Sequence, residues 1–301
     1  MKIALKVEAA TFRGTRLGVP RLVETLRRRG AGATFLFSLG PDCAGRALLR
    51  MFKPGFLGRP RRRSMFGHYG FKTMFYGTLL PAPDIGAECA AVMREVRDAG
   101  FETGIHAWNP VLWQARAARA DAAWTRAQME LARERYQEIF GEPARVHGAA
   151  GWQMNRDAYR LTQRLGFSFC SDTRGDGPFV PVCNAEIVAC PQLPTTLPTL
   201  DEAMDSGASG AVERVLGITQ APAPSGHVFT LRAELEGMKL APAFESLLEG
   251  WQAQGHEIVS LGGYLEAMAF ADLPRHSVET GAVPGRGGEL SRQGREFLAG
   301  A

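Results

Sequence analysis

Short apolar runs alternate with amphipathic helical segments along most of this chain, and this alternation limits the possible folds more than any other feature. The first run, Ile3–Val7, precedes a helical segment, Gly18–Arg29, which has Pro20 in its first turn and Gly30 at its end. Later strand-like runs, separated by helical sequence, are Ala33–Leu39, Glu102–Trp108, Val146–Ala150, Ser168–Asp172, Val228–Arg232 and Glu257–Leu261. This pattern predicts an α/β fold with a mostly parallel sheet, closed or half-closed by helices.

The bulk composition is that of an ordinary globular protein. The chain has 301 residues, 45% of them apolar and 22% charged, and a net charge of +4 that does not by itself indicate nucleic-acid binding. Its five cysteines form no CxxC pair, which favours buried thiols over disulfides or a zinc cluster. The sequence shows neither a signal pattern nor an apolar run that could span a bilayer, so we expect a cytoplasmic protein.

No composition shift marks a domain boundary within the first 270 residues. We therefore expect one domain over residues 1–270, with an insertion at about 46–83. The last stretch, 271–301, is rich in Gly and Arg and predicts a flexible tail.

The insertion is basic and aromatic. Residues 43–83 contain no Asp or Glu, while Arg46–Pro83 carries eight Lys or Arg and seven aromatic residues. Such a composition favours docking on an anionic membrane surface, because aromatic rings suit the interface and basic side chains attract anionic lipids. The alternatives are a solvated basic loop and RNA binding, and nothing else in the chain supports the latter. The candidate membrane-binding residues are Lys53, Arg59, Arg61, Arg62, Arg63, Phe66 and Phe71.

Several motifs together resemble one family, the polysaccharide deacetylases of the NodB type. The resemblance is strongest to the branch that deformylates undecaprenyl-phosphate-linked 4-formamido-arabinose, a lipid A modification linked to polymyxin resistance. It covers about residues 2–265 and implies a distorted (β/α) barrel. The motifs that carry it are Thr11–Thr15, Gly18–Leu22, Gly40–Asp42, Lys53–Leu57, His106–Trp108, Trp113–Arg116, Ala149–Trp152, Ser171–Gly175, Gln192–Thr199 and Ala233–Gly237.

The resemblance also implies a catalytic set that this chain only partly retains. Such enzymes hold a divalent metal with one Asp and two His, and use a neighbouring Asp as general base and a His as general acid. His106 matches one metal ligand, whereas Ala10 and Pro110 stand where the other two belong. The base position is Glu8 and the acid position is Arg232, which cannot donate a proton near neutral pH. Asn109 replaces a further Asp.

Two other residues could rebuild a metal site. His147 lies at the end of a predicted strand near the mouth of the expected cleft, and Glu102 precedes His106 on the same strand. A site made from Glu8, His106 and His147 would take zinc, cobalt or manganese; otherwise we expect no cofactor. The alternative is that His147 is a surface histidine.

The remaining polar and aromatic residues of the motifs predict ligand binding. Arg174 could pair with Asp172 or with a substrate phosphate, and Trp152 could stack on a sugar or lie in the core. Two functions stay open: a deformylase-like hydrolase of a lipid-linked sugar, impaired at its metal site, or a non-catalytic binder of such a sugar or regulator of its pathway. Either would act at the cytoplasmic face of the membrane. The candidate ligand-binding residues are Arg13, Trp108, Trp152, Asp172, Arg174 and Glu234.

Overall fold

A curled, fully parallel sheet forms the centre of the molecule. The computed structural model describes residues 1–51, 72–204, 207–266 and 268–297. Within them the strands run in the order β5-β4-β3-β2-β1-β8, and β9 also pairs with β1. The strands are β1 Lys2–Ala9, β2 Thr34–Ser38, β3 Glu102–Ala107, β4 Val146–His147, β5 Phe169–Cys170, β8 His227–Arg232 and β9 Glu257–Val259. This confirms the predicted barrel-like parallel sheet.

Helices cover the outer face of this sheet. They are α1 Val19–Arg29, α2 Ala44–Met51, α3 Ile85–Glu88, α4 Ala90–Asp98, α5 Pro110–Arg116, α6 Ala122–Phe140, α7 Arg156–Arg164, α8 Leu200–Ala203, α9 Gly207–Thr219, α10 Ala241–Ala253 and α11 Leu261–Leu265. Among the described residues, none of the helices is long and apolar enough to cross a membrane.

Local sequence signals explain where the main helices begin and end. Helix α1 ends at Gly30, whose φ of 62° is the left-handed conformation that closes many helices. Asp121 caps α6 by accepting a 2.8 Å hydrogen bond from Trp124 N.

The two faces of the central sheet bury different clusters. Phe35, Phe37 and Ile105 pack under the helices, while Leu36 and Val146 belong to a smaller cluster inside the curl.

The prediction of a flexible tail from residue 271 is wrong for most of that segment. Strands β10 Arg275–Ala282 and β11 Glu289–Glu296 form an antiparallel hairpin. Strand β10 also pairs in parallel with β6, Val180–Cys183, which in turn pairs with β7, Glu186–Ile187. The hairpin is ordered by this pairing and by burial of Leu290 and Ser291, neither of which its polar composition reveals.

Most of the predicted insertion cannot be compared with the structure. Every candidate membrane-binding residue falls within 52–71, which lie outside the described residues. The flanking parts form α2 and a short 3-10 helix, Lys72–Phe75.

Candidate functional site

The carboxyl ends of the parallel strands bring the predicted catalytic positions together. Glu8 and Arg232 are register partners on the adjacent strands β1 and β8. His106 comes from the end of β3 and lies close enough to Glu8 for the two side chains to interact electrostatically. This is the edge at which parallel α/β sheets usually carry their ligand sites. The structure therefore brings Glu8, His106 and Arg232 to one edge of the sheet, at the position of the expected cleft.

Glu8 is held by a lysine that the sequence analysis missed. Lys6 is completely buried, and its Nζ lies 3.1 Å from Glu8 Oε1 and donates a 2.8 Å hydrogen bond to Ser171 O. Burial alone would raise the pKa of Glu8, but Lys6 and, to a smaller extent, His106 outweigh it and hold that pKa below its ordinary value. Glu8 is therefore a carboxylate at neutral pH. The signal for Lys6 was a charged residue inside an otherwise apolar strand.

His106 is neutral and presents one ring nitrogen to the cleft. Its Nδ1–H donates a 2.8 Å hydrogen bond to Gly148 O, which leaves Nε2 as an acceptor. Burial lowers the pKa of His106 despite the attraction of Glu8. Nε2 is buried and has no hydrogen-bond partner among the described residues. This is the orientation expected of a metal ligand or of an acceptor for a ligand's N–H or O–H.

The residues around His106 do not fit the metal that the resemblance implies. Ala10 has no donor atom, and Pro110 occupies the first turn of α5 with an apolar ring. Asn109 serves as the cap of this helix: its Oδ1 accepts a 2.9 Å hydrogen bond from Leu112 N, and its Nδ2 donates to Pro41 O at 3.1 Å. One histidine without further ligands gives negligible affinity, because protein zinc sites need at least three.

The two residues suggested for rebuilding the metal site make other contacts. Glu102 starts β3 at the far end from the cleft, where it accepts hydrogen bonds from Thr34 Oγ1 and Gly262 N. His147 pairs in register with Ile105 and Cys170, so it lies on the helix-covered face, opposite His106.

His147 instead belongs to a separate buried group. Its Nδ1–H donates a 2.7 Å hydrogen bond to Asp172 Oδ1, which also accepts from Ala149 N at 2.8 Å. Although burial favours the neutral acid, these contacts and the charge of His147 keep the pKa of Asp172 below its ordinary value. With Cys170 these two residues form the single group of potential metal ligands found within residues 1–51, 72–204, 207–266 and 268–297. The pair anchors the loop after β4 rather than lining the cleft.

Arg232 and two glutamates close the other side of the cleft. Arg232 Nη2 lies 2.6 Å from Asp201 Oδ1, and its backbone N donates a 2.7 Å hydrogen bond to Glu236 Oε2. Glu234 Oε1 accepts from the backbone N atoms of Ala10 and Thr11 at 2.8 and 2.7 Å. Glu234 thus fixes the end of β1, and these hydrogen bonds occupy its Oε1 in place of a ligand. Burial raises the pKa of both glutamates, that of Glu236 to about 7.

The raised pKa of Glu236 predicts a pH dependence of stability. The folded state binds a proton that the unfolded state releases between the ordinary pKa of 4.5 and about 7. This contribution to the free energy of unfolding is therefore complete below pH 4.5 and is lost as the pH rises to about 7. It amounts to at most ~3 kcal/mol. Glu236→Gln should remove that part of the slope in urea unfolding measured across the window. An unchanged slope in the variant would contradict the assignment of this slope to Glu236. The neighbouring Asp201, with a pKa of about 2, titrates below this pH window.

Arg174 does not pair with Asp172, so that suggestion is wrong. Its Nη1 lies 2.9 Å from both carboxylate oxygens of Glu202, and Nε and Nη2 donate to Thr195 O and Leu197 O at 3.1 Å. These contacts saturate a buried guanidinium, which leaves it a structural role. Sequence alone could not find Glu202, because it lies on a separate element, the short helix α8, and no sequence spacing predicts the contact.

Trp152 is a buried platform for cations rather than an open sugar-binding face. It is 1% exposed, and its Nε1–H donates a 3.1 Å hydrogen bond to Thr195 Oγ1. Lys6 Nζ and the Arg174 guanidinium lie 5.1 Å from its ring centroid, and Arg286 lies at 4.4 Å. Arg286 comes from the turn between β10 and β11 and was missed, because that segment was expected to be a loose tail.

The two remaining candidate residues, Trp108 and Arg13, are half-buried. Trp108 is half-buried under Arg135, whose guanidinium is 5.3 Å from its ring centroid. With Asn109 and Leu80 it lines an open groove of about 700 Å³. Arg13 is half-buried just before the π-helical turn Gly14–Gly18.

Comparison with known proteins supports one family. No protein-family model matches the chain. A protein of Shewanella sediminis named "Probable 4-deoxy-4-formamido-L-arabinose-phosphoundecaprenol deformylase" is 32% identical over 295 residues, which are 97% of this chain and 94% of that protein. A protein of the same name from Wigglesworthia glossinidia brevipalpis is 30% identical, covering 93% of this chain and 98% of its own.

A solved structure agrees with this result at the level of the fold. A Mycobacterium smegmatis protein assigned as a polysaccharide deacetylase superimposes with a TM-score of 0.65 and 15% identity, covering 94% of each chain. The identity and coverage of the two sequence relatives, together with the parallel half-barrel, lead to one conclusion. The chain belongs to the family of the 4-deoxy-4-formamido-L-arabinose-phosphoundecaprenol deformylases, on the fold of the polysaccharide deacetylases.

Proposed function

We propose that this protein binds a lipid-linked formamido sugar of the kind named for its relatives, without hydrolysing it by the metal-dependent route. The observation that carries the proposal is the donor set of the cleft. His106 is the one metal-ligand side chain retained at the three family positions, and Ala10 and Pro110 offer no ligand atom. The acid position is equally closed, because Arg232 stays protonated at any physiological pH.

The cleft nevertheless keeps the features of a polar binding site. His106 Nε2 is a buried acceptor that could receive the N–H of a formamide or a sugar hydroxyl. Glu8 supplies a carboxylate for further hydroxyl groups, and Arg232 supplies a cation beside it. A buried polar group without a partner costs about 1–3 kcal/mol, so a ligand that satisfies His106 would gain that energy on binding.

The peripheral location is part of the same proposal. A lipid-linked sugar is held at a membrane surface, and the basic, aromatic sequence of 52–71 is suited to docking there. Replacing Arg61, Arg62 and Arg63 together with Gln is expected to weaken binding to anionic liposomes by about 2–3 kcal/mol, or roughly 100-fold. Co-sedimentation at low and high salt measures this, and liposomes of neutral lipid are the control. Equal sedimentation of the variant would contradict the membrane assignment.

Binding and turnover should be measured on the same preparation. We expect the purified protein to bind 4-deoxy-4-formamido-L-arabinose-phosphoundecaprenol in detergent micelles and to release no formate from it when zinc, cobalt or manganese is added. His106→Ala should weaken binding. Chelator-sensitive formate release, restored by a divalent metal, would show that the protein is a hydrolase and that the proposal is wrong.

A further inference from the structure

Arg286 reaches Trp152 because strand β11 of the C-terminal hairpin is hydrogen-bonded to the segments that carry Arg174 and Gln153. Arg174 N donates to Ser291 O at 3.0 Å, and Gln293 N donates to Arg174 O at 2.7 Å. Gln153 Nε2 donates a 2.6 Å hydrogen bond to Glu289 O. The turn beyond these contacts therefore has a fixed position above Trp152.

Two glycines shape this turn. Gly285 and Gly288 have φ values of 81° and 88°, which favour glycine over residues with a side chain. The tight turn carries Arg286 toward the protein, where its guanidinium covers the Trp152 ring. Arg286 Nη1 also lies 3.2 Å from Glu202 Oε1. The ring and the carboxylate together fix the plane and direction of the guanidinium.

The charges at this place do not balance. Glu202 already receives a two-oxygen contact from Arg174, so a single carboxylate serves two guanidinium groups. Arg232 adds a further cation, paired with Asp201 on the neighbouring position of α8. Lys6 is a third cation around Trp152, beside Arg174 and Arg286. These four basic side chains meet the carboxylates of Glu8, Asp201 and Glu202, while burial raises the pKa of the neighbouring Glu234 and Glu236 and so favours their neutral forms. The group therefore carries an excess of positive charge when these two glutamates are protonated.

Arg286 and Arg232 are also the accessible members of this group. The Arg174 side chain is 8% exposed, whereas those of Arg286 and Arg232 are 25% and 18% exposed. The positive charge of Arg286 helps to lower the pKa of both Glu8 and Asp201, so Arg286 lies within electrostatic reach of the two carboxylates. The two arginines thus approach one region from different elements, Arg232 from strand β8 and Arg286 from the β10–β11 turn.

We propose that Arg286 and Arg232 form the binding site for the phosphate group of a phosphorylated ligand. A guanidinium binds two phosphate oxygens at once, and the stacking of Arg286 on Trp152 holds it ready for such a contact. The inference rests on the proposed function, for which it names the residues that recognise the phosphate next to the sugar. A free phosphate and a lipid phosphate share this chemistry.

Binding of two probes tests the site. Inorganic phosphate represents the free group, and farnesyl phosphate below its micelle concentration represents the lipid-linked one. Arg286→Gln should weaken binding of both by about 10- to 100-fold, the usual effect of losing a charged hydrogen bond. Arg286→Lys, which keeps the charge but not the fork, should have an intermediate effect. Arg295→Gln, at an exposed position of the same hairpin, is the matched control and should bind normally.

The outcomes separate this inference from the proposed function. Much tighter binding of farnesyl phosphate than of inorganic phosphate would identify the lipid-linked source, and equal binding would identify the phosphate alone; both support the site. Thermal unfolding of each variant and the salt dependence of its binding show whether Arg286 serves only the fold. In that case the variants are less stable, but the salt dependence of their binding is that of the natural chain. Binding of both probes by Arg286→Gln as well as by the natural chain would overturn the inference. If that variant also bound the lipid-linked formamido sugar normally, the proposed function would still stand.

Discussion

Replacing Ala10 with Asp and Pro110 with His is expected to give the cleft a complete set of zinc ligands. The two changes add a carboxylate at the end of β1 and a second imidazole at the start of α5, beside His106 Nε2, which is already oriented as an acceptor. Three ligands with an open fourth position are the usual catalytic zinc set. Zinc affinity should therefore rise on the order of 1000-fold or more over the natural chain.

Matched variants make this gain specific. Ala10→Asn with Pro110→Ala alters the same positions without completing the ligand set, and it should leave zinc binding as weak as in the natural chain. Adding His106→Ala to the gain-of-site variant should abolish the new binding, as measured by zinc competition with a chromophoric chelator. Failure of the double variant to bind zinc while it remains folded would mean that more than the missing side chains separates this cleft from a metal site.

Replacing Glu202 with Ala is expected to have the largest effect on stability. This carboxylate is buried, binds Arg174 through both oxygens, contacts Arg286 and accepts a 3.1 Å hydrogen bond from Thr199 N. Removing it leaves a buried guanidinium without its counter-charge, which typically costs about 3–5 kcal/mol. Urea unfolding of the variant measures this cost.

An exposed glutamate provides the control for this substitution. Glu213→Ala, on α9, should change the free energy of unfolding by no more than about 0.5 kcal/mol. Glu202→Gln, which retains an acceptor but not the charge, should lie between the two. A loss below about 1 kcal/mol in Glu202→Ala would show that Arg174 and Arg286 find other partners, and the fixed position of Arg286 would then need another cause.

The central sheet could be predicted because its signals are local. A buried parallel strand such as β2 has an apolar centre, and the intervening helices carry caps at Asp121 and Gly30. The C-terminal hairpin could not, since β10 and β11 are polar and rich in charge. Their order comes from pairing with β6, a contact almost a hundred residues away in sequence.

The site was predictable to a similar, partial extent. Ends of neighbouring parallel strands must meet, so the convergence of Glu8, His106 and Arg232 followed from their positions. The side on which His147 lies depends on its register with Ile105 in a strand of two residues, too short for a period to be visible. Arg174 and Arg286 lie on separate segments of the chain, and only folding brings both to Glu202 on α8.

The most direct test of the account is a zinc titration of the natural protein beside His106→Ala, with metal content determined by elemental analysis. If the cleft is a binding site without a metal, the two proteins will take up the same amount of zinc, and neither will hold a stoichiometric ion at micromolar free metal. One equivalent of zinc in the natural protein that His106→Ala removes, together with formate release that a chelator stops, would contradict the account.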